Sequence, residues 1–362
     1  ALASAFRDPK MARVLSYIPQ AMPFSRRVSL FNSLLESDKM LAQDESMSLR
    51  QMMMNVEEGN EAELPGRERV TIRRDALYSD SKGSLNSLGK RLRKRIQVTF
   101  VNKLGRHEAG IDGGGVFKEF LDDLIKDAFL PATVKETSGE MDDDDNVEEI
   151  HPDFFSVTPL QTLKVNTELD GKDSLLVHYE FLGRVLGKAI YGKLLTCGFV
   201  DMMLLPILII LRLLESESIL VEPQFSLLFL NKLLGKQNSL DDLKNLDPEY
   251  YKNLMSLRHM SAPEIANLGL TFELYDSATI TSLELMPGGS SITVTKENVI
   301  QYIHLVSHQK MNVRGSRQTM AFLHGFRDII PAQWVRLFSA NELQKLISGD
   351  DAIKGIDVQG MQ

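Results

Sequence analysis

Apolar residues fall at helical spacing through much of the chain, and short alternating runs interrupt them. From Phe6 to about Met54 the pattern is helical, with Val28, Phe31, Leu34 and Leu35 on one face and Ser25 placed to cap the start. Asn55–Gly66 is polar, acidic and broken by Pro65-Gly66, which reads as a linker. Arg69–Arg73 and Ile96–Phe100 alternate and carry β-branched residues, so each is expected as a strand. Three consecutive glycines, Gly113–Gly115, then permit tight backbone turns. The helix expected directly after them carries a broad stripe of Val116, Phe117, Phe120, Leu121, Leu124 and Ile125. Thr137–Glu149 includes four successive aspartates and is expected to be a disordered loop.

Val177–Tyr191 reads as a second helix with Phe181, Val185 and Leu186 inward. Gly183 and Gly187, four apart, would let another element approach its backbone. A helix over Phe225–Leu234 stops at Gly235. Short helices follow at Leu240–Asn245 and Pro248–Leu257, then strands at Leu268–Leu274, Ser282–Leu285 and Ser291–Val294. From Lys296 to Ile347 the chain is again helical. The expected class is α+β and mostly helical, with a small α+β segment inserted in a larger helical body.

Composition narrows the function more than the fold. The 362 residues are 43% hydrophobic and 25% charged, ordinary for a globular protein with room for two or more subdomains. A net charge of −8 argues against nucleic acid as the main partner. The basic run Lys90–Arg95 is expected to form a solvated face, with an anionic partner or a sorting signal as alternatives. The single cysteine, Cys197, excludes an internal disulfide and any cysteine-rich zinc site, and suits a reducing compartment. No secretory signal pattern is visible, and neither Ala1 nor the last residues close an obvious element, so a fragment is expected.

Several common chemistries are missing. The glycine run before a helix is neither a P-loop nor a dinucleotide fingerprint, and is read as turn glycine. His304 and His308 are the only histidines four apart, and no glutamate stands between them as a zinc-protease helix requires. A serine-hydrolase elbow is also missing. Cys197 lies among Leu194-Leu195-Thr196 and Gly198-Phe199-Val200, with no histidine or basic group to favour a thiolate. It reads as a buried, inert thiol. No metal and no cofactor are expected.

Nine segments in order resemble the N-terminal lobe of HECT-type ubiquitin ligases. RVTIRRD (Arg69–Asp75) is similar to the family's opening strand and turn. AGIDGGGVFKEF (Ala109–Phe120) and EFLGRVLGKAIY (Glu180–Tyr191) match its most distinctive stretches. LDPEYYKNL (Leu246–Leu254), LGLTF (Leu268–Phe272), LELMPGG (Leu283–Gly289) and VTKENVIQYI (Val294–Ile303) follow. AFLHGFRDIIP (Ala321–Pro331) and LFSANELQKLISG (Leu337–Gly349) complete the set, and Ile356-Asp357-Val358 would begin the run toward the hinge. The likeness extends from about Arg67 to Val358, with a looser match in the preceding helices.

The resemblance implies a bilobal HECT N-lobe that recruits a ubiquitin-charged E2 enzyme. In such ligases ubiquitin passes from the E2 to a cysteine on the C-lobe, then to a substrate lysine. The C-lobe motif is absent here, so no catalytic residue is assigned and the chain alone is expected to be inactive in transfer. The implied domains are a helical extension and linker (1–66), the large subdomain (67–193 and 296–362) and a small E2-binding subdomain (219–295). The E2 groove carried over from the family comprises Tyr250, Leu254, Leu257, Met260, Leu268 and Tyr302. Tyr250, Leu254 and Leu257 also share one helix face by spacing, which would equally suit packing of their own subdomain core. Implied partners are an E2, ubiquitin and protein substrates, in the cytoplasm and also the nucleus.

One segment departs from the family. Leu194–Ser218 intervenes where the family runs almost directly from GKAIY into ILVE (Ile219–Glu222), and Met202–Leu211 within it is strongly apolar. It is too short for a membrane span of ~20 residues and contains Pro206, so a membrane role is not favoured. An exposed contact or aggregation patch is the expectation. Two other readings compete with the ligase: a non-catalytic truncated product that occupies E2 or ubiquitin, and a membrane-attached helical scaffold.

Overall fold

The computed structural model describes residues 13–15, 17–54, 67–102, 115–131, 151–196, 223–276 and 281–348. The linker at 55–66, the glycine turn through Gly114, the acidic loop, Cys197 with the apolar segment to Ser218, and residues 349–362 lie outside them. The chain divides into two compact units. One draws on residues up to Asp153, Val177–Pro223 and Ala321 onward; the other on Phe154–Leu176 and Gln224–Met320. The second unit is thus wider than the 219–295 span expected from sequence.

In the first unit a 3-10 turn at Pro19–Ala21 precedes helix α1, Phe24–Met54. Arg27 N–H already donates to the Pro23 carbonyl (3.1 Å), so Ser25 lies inside the first turn and does not cap it. Strands β1 (Arg67–Arg73) and β2 (Arg95–Val101) pair in parallel, with Val70 opposite Val98 and Ile72 opposite Phe100. A parallel pair needs a crossover. Helix α2, Leu77–Asn86, supplies it; its periodicity is faint because Ser79, Asp80, Lys82 and Gly83 surround its apolar positions Tyr78 and Leu85, and the third inward residue, Ser81, is polar.

The basic run is not a helix face. Gly89–Arg93 forms a 3-10 turn with Leu92 buried. Arg93 donates from Nε to the Asp328 carbonyl (3.0 Å) and pairs with Asp38 (3.4 Å), while Lys90, Arg91 and Arg95 are exposed. Helix α3, Gly115–Phe129, buries Phe120, Leu121, Leu124 and Ile125 of the expected stripe, leaves Val116 and Phe117 half-buried, and extends the buried face to Ala128 and Phe129.

Within that unit two helices meet backbone to backbone. Helix α4, Leu176–Thr196, is longer than the predicted span, and it faces the part of helix Ser316–Ile329 that follows Ala321. A Cβ on Gly183 would stand 2.0 Å from the Phe322 carbonyl oxygen, and one on Gly325 would stand 1.8 Å from that of Glu180. At Gly187 the nearest atom, Ile329 Cβ, would be 2.9 Å away. Glycine is required there because neither carbonyl can move without breaking its own helix.

Charge closes the same crossing. Buried Arg184 donates from Nε and Nη2 to Asp328 Oδ2 (2.9 and 2.7 Å), and it also bonds Glu180 and Asn86. Lys188, also buried, donates to the Lys94 carbonyl (2.9 Å); burial, with Lys39 nearby, brings its pKa down to about 7. So the conspicuous residues of GRVLGKAIY and HGFRD are occupied with each other and with the unit's own backbone. Near the last helix, Ala340–Ser348, Phe31 meets Trp334 and Phe338 edge-on (6.5 and 5.5 Å). There Arg27 forms a two-toothed pair with Glu342 (2.8 and 2.7 Å) and donates to the Leu337 carbonyl (2.7 Å). Arg27 and bonds from Ser339 hold the Glu342 carboxyl down at about 2.

The second unit begins with an antiparallel hairpin, β3 (Phe155–Val157) and β4 (Leu163–Val165), turned through Gln161 at φ 58°. Phe155 packs against Phe225 and Phe229, both at 5.6 Å. Helix α5, Leu227–Leu233, is capped by Ser226 and ends near Gly235 at φ 75°. A 3-10 turn (Leu240–Asn245), helix α6 (Pro248–Ser256) and a 3-10 turn (Leu257–His259) follow.

The strand expected over Leu268–Leu274 is corrected. Helix α7, Ala262–Asn267, ends through Leu268 into Gly269 at φ 60°, and the strand itself, β5, is only Glu273–Asp276. It pairs with β6, Thr281–Glu284, in an antiparallel hairpin. Ser291–Val294 contributes a single bridge, Thr271 to Thr293, in place of a strand. The Pro287-Gly288-Gly289 turn sits tight against Phe272: a Cβ on Gly289 would meet the Phe272 carbonyl oxygen at 2.3 Å. Helix α8, Val299–His308, then gives way to a π-helical turn over Gln309–Val313. The long helical stretch expected from Lys296 is therefore several helices. The architecture is α+β and mostly helical, its sheets two-stranded.

Candidate docking surface

The core of the second unit is built from Leu243, Leu254, Leu257, Ile265, Phe272, Val294, Val299, Tyr302, Ile303 and Val306, among others. Asp247 starts helix α6 by accepting from the Tyr250 N–H (2.9 Å), with Pro248 pre-set for the first turn. Ser261 and Glu264 start helix α7: Glu264 accepts from the Ser261 N–H (2.7 Å) and hydroxyl (2.7 Å). Between these helices Lys296 Nζ donates to the carbonyls of Arg258 (2.9 Å) and Met260 (2.6 Å), which pins the connecting loop.

The six side chains named for the groove sit at different depths. Leu254, Leu257 and Tyr302 are 6, 7 and 6% exposed and belong to the core, where Tyr302 meets Phe272 edge-on at 5.6 Å. Tyr250 and Met260 are half-buried against that core, and Leu268 is 47% exposed. The i, i+4, i+7 spacing is real, but α6 ends at Ser256 and its stripe marks the face turned inward. Only Tyr250, Met260 and Leu268 offer appreciable surface. Burial, with Tyr302 and Asp247 nearby, pushes the Tyr250 hydroxyl up to about 12, and Lys310 Nζ lies 3.5 Å from its ring centre. Tyr250 is thus an uncharged phenol held under a cation.

Sequence reasoning missed other exposed apolar side chains of this unit. Tyr275 is 69% exposed, Leu283 42% and Ile300 45%. Ile300 could have been found: it follows Val299 on α8, where 299, 302, 303 and 306 are the inward positions.

Among the described residues one group of potential metal ligands exists, Glu180, His324 and Asp328 in the first unit, with donor atoms within 4.8 Å of one another. The Arg184 guanidinium already binds both carboxylates, so a cation holds that position. The donor set does not fit a metal centre. His304 and His308 are both exposed on α8. Among the described residues no helix is long and apolar enough to cross a membrane.

Residues 142–362 match the HECT-domain (ubiquitin-transferase) family, and the chain belongs to it. Among curated relatives it is 37% identical over 358 residues to the human ubiquitin-protein ligase E3B, covering 96% of this chain and 28% of that protein. It is 32% identical over 354 residues to the E3 ubiquitin-protein ligase UPL6 of Arabidopsis thaliana (96% and 28%) and 31% identical over 356 residues to HUL5 of Saccharomyces cerevisiae (96% and 33%). The chain spans only about a third or less of the length of these relatives.

Proposed function

We propose that this chain is the E2-recruiting part of a HECT ubiquitin ligase and that the second unit carries the docking surface. The single observation that carries the reading is Leu268, a large apolar side chain left 47% exposed at the end of a capped helix. Beside it in sequence, the loop carrying Met260 is pinned by Lys296. An exposed apolar anchor on a rigid frame is what a partner's aromatic loop needs, because little ordering entropy remains to be lost on binding. Tyr250, Met260 and Leu268 would touch the E2, while Leu254, Leu257 and Tyr302 form the floor that sets their positions. The partners are an E2 carrying ubiquitin and, through the whole ligase, protein substrates.

The acyl transfer itself needs a thiolate with access and electrostatic support. Cys197, the one cysteine, stands among apolar and small neighbours without a histidine or a base in sequence, so no transfer role is assigned to it. We infer that this chain docks the E2 and does not itself accept ubiquitin.

Binding of the chain to a panel of E2 enzymes, by calorimetry, tests the reading. Leu268→Ala and Met260→Ala should each weaken the best E2 about 5- to 10-fold, the ~1–1.4 kcal/mol expected for losing part of a buried side chain at an interface. Leu268→Ala should leave the melting temperature unchanged, while Met260→Ala, half-buried against the core, should lower it by a few degrees, so its binding is read at a temperature where the chain stays folded. Saturable binding unaffected by either substitution would place the docking surface elsewhere, and a folded chain that binds no E2 would defeat the reading.

A further inference from the structure

A cavity of about 110 Å³ in the second unit is lined by four cationic side chains, Lys164, Lys232, Lys310 and Arg314, together with the hydroxyl residues Ser226 and Thr319. Its volume is about tenfold what one water requires, enough for a tetrahedral oxyanion. We infer that this cavity binds a small dianionic phosphate group, free or as a monoester. The inference stands on the cavity's own side chains and does not depend on E2 docking.

The cations come from three separate elements. Lys164 lies in strand β4, Lys232 in helix α5, and Lys310 and Arg314 in and just after the π-helical turn. Such a π turn is an uncommon backbone solution, often found at functional sites. Here it sets Lys310 and Arg314 on the cavity wall. The acidic groups near these cations are Glu168, Asp170 and Asp247. Two of them are tied to backbone: Asp170 accepts from the Gly315 N–H (3.0 Å) and Asp247 from the Tyr250 N–H (2.9 Å).

Convergent cations in a small, partly enclosed space raise one another's energy, and an anion placed among them relieves it. Burial holds the pKa of Lys164, Lys232 and Lys310 below the usual lysine value; Arg314 lowers Lys164 and Lys310 further, and Lys164 also lowers Lys310. A bound phosphate would favour the charged ammonium and oppose those shifts. Four cations from three elements suit a phosphoryl group with several oxygens better than a single carboxylate.

The test is titration of the full 362-residue chain with inorganic phosphate, followed by calorimetry and by the phosphate ³¹P line width, at constant ionic strength. Phosphoserine, sulfate and chloride serve as parallel probes. The expected result is one saturable phosphate site. Lys164→Gln and Lys232→Gln, made separately, should each weaken phosphate at least tenfold, while the exposed Lys252→Gln should not. Each variant's melt without phosphate checks its fold, and the wild-type titration stands alone if one variant fails to fold. Tighter binding of phosphoserine than of phosphate would identify a phosphorylated side chain as the source; the reverse would identify a free ion. Absence of saturable phosphate binding by the wild-type chain, an equal response to chloride, or equal weakening by Lys252→Gln would overturn the inference.

Discussion

Gly183→Ala and Gly83→Ala are the same chemical change in two helices, and the structure assigns them opposite signs. At Gly183 the new methyl would sit 2.0 Å from the Phe322 carbonyl oxygen and 2.8 Å from the Phe326 nitrogen. Both are backbone atoms of an intact helix, so no side-chain rotation relieves the clash; the helices must separate by about 1 Å or more, and the packing around them loosens. Overpacking of this kind costs about 1–3 kcal/mol, and a backbone obstacle places the change at the upper end. Alanine's better helix propensity returns about 1 kcal/mol, leaving a net loss of about 2 kcal/mol. At Gly83, in helix α2, a Cβ meets nothing within 4 Å and φ is not positive. There only the propensity and unfolded-state terms act, for a gain of about 0.5–1 kcal/mol. Urea unfolding of the two variants and the parent, followed by circular dichroism, gives both signs from one set of curves. The argument is refuted if Gly183→Ala matches or exceeds the parent's stability. A destabilised Gly83→Ala would show that the open space at that helix is not open in solution.

Other outcomes follow from burial and charge. Leu254→Ala should cost about 2–5 kcal/mol of stability as a core truncation, whereas Leu268→Ala should stay within about 0.5 kcal/mol; equal effects in thermal or urea unfolding would mean the two depths are misassigned. His178 accepts from Lys82 at Nε2 (2.8 Å) and so donates from Nδ1 to the Tyr78 hydroxyl (2.8 Å); burial, then Lys82 and His151, hold its pKa down at about 4. Its imidazole stays neutral in the fold while the unfolded chain protonates near 6.5, so its contribution is complete above pH ~6.5 and is lost as pH falls through about 4. An NMR titration placing His178 near 6.5 would contradict this. Glu342, held at about 2 by Arg27, gives stability that is present above pH ~4.3 and lost toward pH 2, on the order of 2 kcal/mol. Glu342→Gln should flatten that stretch of the acid-unfolding profile; an unchanged profile would mean that Arg27 gains nothing from the carboxylate.

Much of this was written in the chain because the decisive interactions are local or leave a residue-type signature. Gly183 and Gly187 at a four-residue interval declared a close approach by another element, and the strands near Arg69 and Ile96 declared themselves by alternation. What spacing could not supply was the partner. Nothing in β1 or β2 says that they pair in parallel, since that depends on a crossover through α2, whose polar residues hid it. The ends of elements were lost for a similar reason. Asn267, Leu268 and Gly269 form a helix terminus only because Gly269 takes a positive φ, while the apolar run from Leu268 to Leu274 looks like a strand from composition alone.

The residues proposed for docking show the limit most directly. A stripe at i, i+4, i+7 reports that one side of a helix avoids water, and a core and a partner satisfy that condition equally. Leu254, Leu257 and Tyr302 answer to their own unit's core, so substituting them cannot separate loss of binding from loss of fold. Leu268 is different. It lies where the chain has turned out of α7, outside the Tyr250–Leu254–Leu257 stripe, and half of it still meets water. The proposed docking site is therefore sought among the apolar side chains the core has failed to cover, and the residues able to test it are the exposed members of the set.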